Sequence, residues 1–303
     1  MAEIRTIAVI GAGIMGRGIA HVAALGGYRT ILEDILPASL RRAEDEIRAN
    51  LEKAVELGKV KKEQAEEAMR RLEFATSLED AARQADMVIE AVPEEFDSKE
   101  EIFRLLDRIC RPNTVLASNT SSLSITEIAA VTERPENVVG MHFFNPVHKM
   151  KLIEIIKAAK TDDASLQAAI TVGRQMGKET VVIHEAPGFI TSRINAMIGN
   201  EAFYMLEAGI ASAEDIDKAL KLGLNHPMGP FEMVDLVGLD TRLSILRYLH
   251  QTLGEKFRPA PLLEKYVADG RLGRKVGRGV FDYPEILKQR QEEDKKRSAN
   301  VNR

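Results

Sequence analysis

The sequence predicts an α/β fold: a doubly wound parallel sheet with an inserted helical hairpin, followed by an all-helical C-terminal domain. Up to about His184, short β-branched runs alternate with helical stretches, a pattern typical of parallel winding. Between Asp34 and Phe74 the alternation is interrupted by a stretch that is rich in Glu, Lys, Arg and Ala and has no strand pattern. From Pro187 onward, the strand-like runs give way to amphipathic helical stretches.

The strand-like runs occur throughout the first part of the chain. They are Thr6–Gly13, Tyr28–Asp34, Asp86–Val92, Thr114–Thr120 and Val138–Phe144, followed by KLIEIIK and TVVIHE. The charged interruption divides at LGKVKKEQ into two helical pieces, which predicts a helical hairpin over about residues 35–73. The alternative for this stretch is a solvated excursion without function. We place a first domain at residues 1–184 and a second, all-helical domain at residues 185–303.

The composition is that of a globular protein with a large core. Of the 303 residues, 45% are hydrophobic and 29% are charged, and the formal net charge is −4. This charge gives no reason to expect nucleic acid or an anionic membrane as a partner. No apolar run is long enough to span a bilayer, so we expect no membrane association of that kind. Because the first strand begins within a few residues of the amino terminus, we expect no signal or transit peptide.

Cysteine usage is typical of a reducing compartment. Cys110 is the only cysteine in the sequence, and it lies on an apolar helical face where a packed, inert thiol is expected. A single thiol excludes a disulfide framework and a thiolate metal cluster. We therefore expect a cytoplasmic protein without a metal site.

The turn between the first strand and the first helix carries a glycine pattern found in dinucleotide-binding proteins. Gly11, Gly13 and Gly16 stand at G-x-G-x-x-G spacing, with Ile14 and Met15 between the last two. The first glycine makes the tight turn, the second lets the backbone approach a pyrophosphate, and the third lets helix and strand pack closely. The free N–H groups at the start of the helix then bind the phosphates. The alternative is a glycine-rich turn that binds no cofactor.

An acidic residue at the end of the second strand makes the dinucleotide interpretation more specific. Asp34 follows the glycine motif by about twenty residues, the position from which a carboxylate accepts hydrogen bonds from the adenine ribose. The same carboxylate would repel the additional phosphate of NADP. Together the two features predict a Rossmann-type domain that binds NAD.

One imidazole and one carboxylate interrupt two runs that otherwise resemble core strands. His142 precedes an aromatic pair, and Glu154 stands alone among the apolar residues of Leu152–Ile156. Burial of either ionised group without a partner is costly, so we expect the two side chains to face each other. A core histidine without a chemical role is the alternative for His142.

Several segments, taken in order, resemble the L-3-hydroxyacyl-CoA dehydrogenases and among them the stand-alone bacterial 3-hydroxybutyryl-CoA dehydrogenases. The segments are GAGIMGRGIA, SNTSSLSITEIA, HFFNP…MKLIEII, APGFITSR and LGLNHPMGPFEMVDLVGLDT. The resemblance extends from Ile7 to Tyr283. It implies an NAD-dependent enzyme that interconverts a (3S)-3-hydroxyacyl-CoA, such as 3-hydroxybutyryl-CoA, and the 3-ketoacyl-CoA in fatty-acid or butyrate-type metabolism. It also implies a homodimer, an arrangement common for such a helical domain.

The resemblance implies roles for four residues at the reacting centre. His142 would take the proton from the 3-hydroxyl group, and Glu154 would orient the ring and stabilise the imidazolium. Ser121 would bond the reacting oxygen, and Asn145 would position the nicotinamide ring and the thioester end of the substrate. For Ser121, which lies in a serine-rich turn, the alternative is capping of the helix that follows.

Three further residues match family positions that contact the cofactor, namely Glu94, Lys99 and Lys275. For Glu94 and Lys99 the alternative is that they are ordinary surface charges at the start of a helix.

The charged interruption matches a helical hairpin that the family uses to hold coenzyme A. Candidates there for substrate binding are Asn50, Lys53 and Lys59. One departure concerns the family pattern GF-x-x-N-R, which reads GFITSR in this chain, with Ser192 in place of the asparagine. Ser192 keeps a hydrogen-bond donor with a shorter reach, and we count it as a candidate substrate contact.

Two other functions compete with this interpretation. A dehydrogenase of the same fold that acts on a free hydroxy acid or sugar acid would need a basic residue near His142, and Lys149 and Lys151 are the nearby candidates. A non-catalytic structural protein of the lens-crystallin kind would not need the reacting-centre residues at all. The hairpin favours a coenzyme A ester, because such a substrate needs a site for its nucleotide end.

Overall fold

The computed structural model describes residues 3–288, and its chain separates into two units. The first unit ends at Phe189 and the second begins at Ile190. Among the described residues, no helix is long and apolar enough to cross a membrane.

The first unit is built on one eight-stranded sheet with helices in the connections. The strands are β1 (Thr6–Ile10), β2 (Arg29–Glu33), β3 (Leu72–Ala75), β4 (Met87–Glu90), β5 (Val115–Ser118), β6 (Val138–Phe143), β7 (Leu152–Lys157) and β8 (Glu179–His184). The helices are α1 (Ile14–Leu25), α2 (Pro37–Glu56), α3 (Lys62–Arg71), α4 (Leu78–Ala82), α5 (Phe96–Ile109), α6 (Ile125–Ala130) and α7 (Asp163–Gln175).

The order of the strands creates a crevice at one edge of this sheet. The order is β3-β2-β1-β4-β5-β6-β7-β8, and all neighbouring strands pair in parallel except β6 and β7. The direction of winding reverses between β1 and β4, and ligands of such folds bind at the carboxyl ends of the strands at this reversal. Apolar clusters cover both faces of the sheet, which explains why the central strands are continuous apolar runs. The predicted fold class is confirmed.

The predicted hairpin forms, but the interpretation of its end was wrong. Helices α2 and α3 are joined by a short turn, and α2 buries a stripe with helical spacing against the core. The sequence interpretation expected no strand between Asp34 and Asp86, whereas the hairpin leads directly into β3. This strand escaped notice because it is short and lies at the sheet edge, where Leu72 is buried but Glu73 is exposed and pairs with Arg29. The sequence of β3 therefore contains no apolar run that would indicate a strand.

The second unit is helical. Its helices are α8 (Thr191–Glu207), α9 (Ala213–Gly223), α10 (Pro230–Val237), α11 (Leu239–Leu253) and α12 (Pro261–Ala268). They pack around one apolar cluster that contains Phe203, Phe231 and Phe257. Ser212 caps the start of α9, since its hydroxyl accepts a hydrogen bond from the Asp215 backbone N–H, 3.1 Å away.

A buried aspartate at each end of α10 fixes this helix. At its start, the Asp217 carboxylate accepts hydrogen bonds from the backbone N–H groups of Phe231 (2.8 Å) and Glu232 (3.0 Å). Near its end, Asp235 accepts from the N–H of Val280 (2.7 Å), and the segment that follows Val280 adds two more donors. The HPMGPFE and GRGVFDY segments of the sequence therefore serve the packing of this unit.

Candidate active site

Four neighbouring strand ends carry the residues that the sequence singles out in the first unit. The glycine motif follows β1, Glu94 follows β4, Ser121 follows β5, and Asn145 follows His142 and the end of β6. Because β1, β4, β5 and β6 are parallel neighbours, their carboxyl ends meet at the same edge of the sheet. The fold therefore brings these residues together at the point where the winding reverses.

His142 and Glu154 lie directly opposite each other on the antiparallel pair β6 and β7. The Nδ1 atom of His142 is 2.8 Å from Oε2 of Glu154. Glu154 is fully buried, and 6% of His142 is exposed. A carboxylate can only accept a hydrogen bond, so it places the ring hydrogen on Nδ1 and leaves Nε2 of the neutral imidazole as an acceptor. This geometry is that of a base held by a carboxylate.

Two aromatic rings pack on the imidazole of His142. The rings of Phe144 and Phe189 have centroids 4.5 and 5.8 Å from that of His142, and both are tilted against it. These contacts restrict the orientation of the imidazole ring.

Each glycine of the turn after β1 is required for a different reason. Gly11 has a φ of +97°, and a Cβ there would lie 2.8 Å from the carbonyl oxygen of Ala91. A Cβ on Gly16 would lie 1.7 Å from the carbonyl oxygen of Gly11, so helix α1 approaches the turn as closely as the backbone allows. Gly13 is the residue before α1 and faces open space, which leaves room for a phosphate at the start of the helix. Ile14 and Met15 lie between Gly13 and Gly16. Ile14 is exposed, and Met15 is partly buried against the core.

Asp34 is already in place at the end of β2. Its carboxylate accepts hydrogen bonds from the N–H of Ala12 and the N–H of Leu36, both at 2.9 Å. It thereby connects the second strand to the glycine turn. The preceding residue, Glu33, is buried, and burial together with the charge of Asp34 raises the pKa of Glu33 to about 7.

Glu94 organises the turn that contains Ser121. Its Oε1 accepts hydrogen bonds from the Thr120 hydroxyl (2.7 Å), the Ser121 N–H (2.7 Å) and the Ser121 hydroxyl (3.1 Å). Burial alone would raise the pKa of Glu94, but the charge of Lys99 and these hydrogen bonds hold its pKa below the usual value. Capping of α6 is the work of another residue, Ser124, whose hydroxyl accepts from the N–H of Glu127 at 3.1 Å.

Lys99 is not a surface charge, so that alternative from the sequence was wrong. Only 1% of its side chain is exposed, and its ammonium group lies 2.7 Å from Glu90 and 3.3 Å from Glu94. Glu90, at the end of β4, is fully buried and also accepts a hydrogen bond from the Ser118 hydroxyl at 2.6 Å. Sequence reasoning missed Glu90, although it carries the same signal as Glu154: a lone carboxylate in the apolar run MVIEAV.

A pocket next to these strand ends is lined both by residues of the hairpin and by a residue of the reacting centre. Asn50 of α2 and Asn145 after β6 both line it. Arg17 and Glu46 also line it, and the guanidinium group of Arg17 pairs with Glu46 at 2.6 Å. The remaining lining residues are Ile14, Gly18, His21, Ile47, Pro146, Val147 and His148.

The other two candidates on the hairpin lie outside this pocket. Lys53 is exposed and pairs with Glu56 at 2.8 Å, and Lys59 is exposed in the turn between α2 and α3.

The last two candidates belong to the second unit. Ser192 is the second residue of α8, and the ammonium group of Lys275 lies 2.6 Å from each carboxylate oxygen of Asp240. Within residues 3–288, no group of three or more His, Cys, Asp and Glu side chains is arranged to hold a metal ion.

These features together define a class of enzyme, the NAD-dependent dehydrogenases. They are a doubly wound sheet with the glycine turn, an acidic residue at the end of the second strand, and an imidazole–carboxylate pair at the same edge. Family comparison then defines the particular family. The NAD-binding domain of 3-hydroxyacyl-CoA dehydrogenase matches residues 6–186, and the C-terminal domain of the same enzymes matches residues 188–283. The chain belongs to the 3-hydroxyacyl-CoA dehydrogenase family, and its cofactor is NAD.

Individual relatives resemble the chain over most of its length. A probable 3-hydroxybutyryl-CoA dehydrogenase of Bacillus subtilis is 46% identical over 93% of this chain and 99% of that protein. The 3-hydroxybutyryl-CoA dehydrogenase of Bradyrhizobium diazoefficiens is 45% identical over 93% of this chain and 96% of that protein. Among solved structures, the (S)-3-hydroxybutyryl-CoA dehydrogenase of Ralstonia eutropha has a TM-score of 0.90 and 41% identity, and the match covers 93% of this chain and 99% of that one.

The raised pKa of Glu33 predicts a pH dependence of stability. The folded state prefers the protonated carboxyl of Glu33. The stabilisation of the fold that this protonated side chain provides is fully present below the unfolded pKa near 4.5, and it is lost as the pH rises through about 7. Glu33→Gln removes this titration. We expect the free energy of unfolding, measured by urea denaturation without NAD, to improve in the variant relative to wild type between pH 5 and 8, by up to about 3 kcal/mol.

The matched control for this experiment is Glu73→Gln on the neighbouring strand β3. Its hydrogen bond with Arg29 lowers the pKa of Glu73, and the side chain is exposed, so its effect should be small and opposite in sign. Parallel pH profiles for wild type and Glu33→Gln would contradict the assignment of a penalised carboxylate at Glu33.

Proposed function

We propose that the chain interconverts (3S)-3-hydroxyacyl-CoA and 3-ketoacyl-CoA with NAD, and that 3-hydroxybutyryl-CoA is its substrate in fatty-acid or butyrate-type metabolism. The observation that carries the proposal is the buried pair of His142 and Glu154, 2.8 Å apart, at the sheet edge that holds the glycine turn. The names of the relatives at 45% and 46% identity support the choice of substrate.

In the proposed reaction, His142 moves the proton. Its Nε2 accepts the hydrogen of the 3-hydroxyl group during oxidation and returns it during reduction. Glu154 accepts a hydrogen bond from Nδ1, which keeps Nε2 directed at the substrate and stabilises the imidazolium while it exists. NAD, when bound, accepts the hydride from C3. A positioned base of this kind contributes roughly 10²–10⁴-fold to the rate.

Other residues of the first unit bind and orient the two ligands. The N–H groups at the start of α1, around Gly13, would hold the pyrophosphate, and Asp34 would accept hydrogen bonds from the adenine ribose. Ser121, held by Glu94, is proposed to contact the reacting oxygen. Asn145 is proposed to contact the nicotinamide and the thioester, and Lys275 of the second unit is proposed as a further cofactor contact.

The pocket lined by Asn50 and Asn145 supports a coenzyme A ester over a free acid. It extends from the reacting centre to the hairpin, where Asn50, Lys53 and Lys59 are proposed to bind the coenzyme A part. A free acid would need an available cation in this pocket. Its arginine, Arg17, is neutralised by Glu46, as the 2.6 Å pair shows.

A structural protein without catalysis is the less favoured alternative. The buried pair of His142 and Glu154 brings no net stability that a pair of apolar side chains would not supply. Its presence therefore supports a chemical role.

Substitutions of His142 and Glu154 test the two members of the buried pair separately. His142→Gln should retain NADH binding but lose at least about 100-fold in kcat with acetoacetyl-CoA, because the base is gone. Glu154→Gln should lose less, and the alkaline limb of its rate–pH profile for reduction, where His142 must be protonated, should move to lower pH because a neighbouring carboxylate favours imidazolium. NADH consumption measures both. The control is His250→Gln, which disrupts another His–Glu pair (3.1 Å to Glu255) in the second unit.

Two results would count against the pair. More than about a tenth of the wild-type kcat in His142→Gln would remove His142 as the base. An unchanged pH profile in Glu154→Gln would remove Glu154 as its orienting partner.

Selectivity for NADH over NADPH should depend on Asp34. The carboxylate, fixed by Ala12 and Leu36, would repel a 2′-phosphate. Asp34→Ser should reduce the preference for NADH over NADPH, mainly through the KM for NADPH. Initial rates with each cofactor would measure this change. If the unmodified protein has equal kcat/KM for the two cofactors, Asp34 does not select between them.

Ser192 is proposed as a substrate contact on the sequence resemblance alone. If it donates a hydrogen bond to the substrate, Ser192→Ala should lower kcat/KM by about tenfold, the effect of one modest hydrogen bond. Ser192→Asn, which restores the family residue, should then be tolerated. A change in thermal stability with unchanged steady-state kinetics would instead assign Ser192 to the packing at the start of α8.

We also propose that the protein is a cytoplasmic homodimer. Cys110 is buried, and burial raises the pKa of its thiol to about 12, which is compatible with a reducing compartment. The second unit exposes large apolar side chains, among them Ile210 (68%), Leu222 (77%) and Leu224 (66%). Apolar surface of this kind is typical of a protein interface, and a symmetric pair of identical chains is the commonest way to cover it.

Sedimentation equilibrium tests the dimer. The wild type should sediment as a dimer at micromolar concentration, and Leu222→Asp combined with Leu224→Asp should shift it toward the monomer. Leu57→Asp is the control, because Leu57 is an exposed leucine of the hairpin in the first unit. A monomeric wild type would contradict the proposal.

A further inference from the structure

Three charged side chains form one network beneath the Ser121 turn. The Lys99 ammonium group lies 2.7 Å from Oε1 of Glu90 and 3.3 Å from Oε2 of Glu94. Glu90 and Lys99 are almost completely buried, whereas 38% of the Glu94 side chain is exposed. The network therefore begins in the core at the end of β4 and reaches the surface of the sheet edge at Glu94.

The network carries one negative charge in excess. Both oxygens of Glu90 accept hydrogen bonds, Oε2 from Ser118 at 2.6 Å and Oε1 from the Val92 N–H at 2.8 Å in addition to Lys99. Glu94 likewise accepts from several donors. Both groups are thus used as carboxylates, and a single ammonium group balances two of them. Because Lys99 is closer to Glu90, the uncompensated charge lies toward Glu94.

This charge lies on the path of the cofactor. A dinucleotide with its pyrophosphate at the glycine turn after β1 must cross the carboxyl ends of β4 and β5 to bring its nicotinamide to His142 on β6. Glu94 and the Ser121 turn that it holds stand at those two strand ends. The partly exposed Glu94 carboxylate therefore lies at the strand ends that the cofactor must cross.

We infer that the network of Glu90, Lys99 and Glu94 makes the site discriminate between the two redox states of the cofactor, in favour of the oxidised one. The inference rests on the proposed function, since it requires the nicotinamide to reach His142. The ring is cationic in NAD⁺ and neutral in NADH, so an adjacent excess negative charge stabilises the oxidised form selectively. The remaining parts of the two cofactors are identical, and contacts to them do not alter this preference.

Binding of both cofactors to wild type, Glu94→Gln and Glu90→Gln tests the inference. Each substitution keeps the side-chain size and removes one negative charge. We expect the ratio of the Kd for NAD⁺ to the Kd for NADH, measured by calorimetry, to rise about three- to tenfold in both variants. Glu95→Gln is the matched control, because it removes the same charge from an exposed neighbour and should leave the ratio unchanged. Circular dichroism establishes that each variant is folded, and Glu94→Gln alone suffices if Glu90→Gln does not fold.

The outcomes separate the inference from the proposed function. A ratio that stays within about twofold of wild type in the folded variants, or that changes equally in Glu95→Gln, overturns the inference. If wild type binds both cofactors but does not reduce acetoacetyl-CoA, the proposed function fails, and the ratio in the variants still decides the inference. A wild type that binds neither cofactor overturns both.

Discussion

A carboxylate buried inside a sheet requires a partner for its charge, and this requirement organises the active edge of the protein. Glu154 and Glu90 are both fully buried at the sheet, and their partners are His142 and Lys99. Loss of one partner from such a pair leaves the other charge unpaired in the interior, at a cost of about 3–5 kcal/mol. The groups that prepare the site for chemistry are thus also groups on which the packing of the sheet depends.

The reversal of chain direction between β6 and β7 gives the site its rigidity. Parallel strands place the glycine turn, Glu94, Ser121 and Asn145 at one edge, but each of these residues stands in a connection. His142 and Glu154 instead stand within strands, in register across an antiparallel ladder. Strand pairing holds the backbone of both residues, since His142 pairs with Glu154 and Glu154 also pairs with Val181 of β8. The proton transfer that we propose therefore falls to two residues within regular strands.

Motifs of similar appearance in the sequence have different physical purposes. The glycine turn and Asp34, which we propose as the binding surface for the cofactor, are joined by the hydrogen bond from the Ala12 N–H to the Asp34 carboxylate. In the second unit, by contrast, Asp217 and Asp235 use their carboxylates on backbone N–H groups that begin α10 and secure the segment after Val280. Segments that identify the family therefore include residues for packing as well as residues for chemistry.

Local patterns in the sequence were sufficient for the fold class, the hairpin and the glycine turn, because each depends on residues close together in the chain. The expectation that His142 faces Glu154 needed only the cost of burying a charge. The edge strand β3 and the burial of Lys99 were beyond such patterns. A short half-exposed strand has no apolar run, and a lysine in the first turn of α5 looks solvated until β4 places Glu90 beside it. The tertiary structure decided which buried charges pair with each other, because pairing depends on distance in space and on the order of the strands in the sheet.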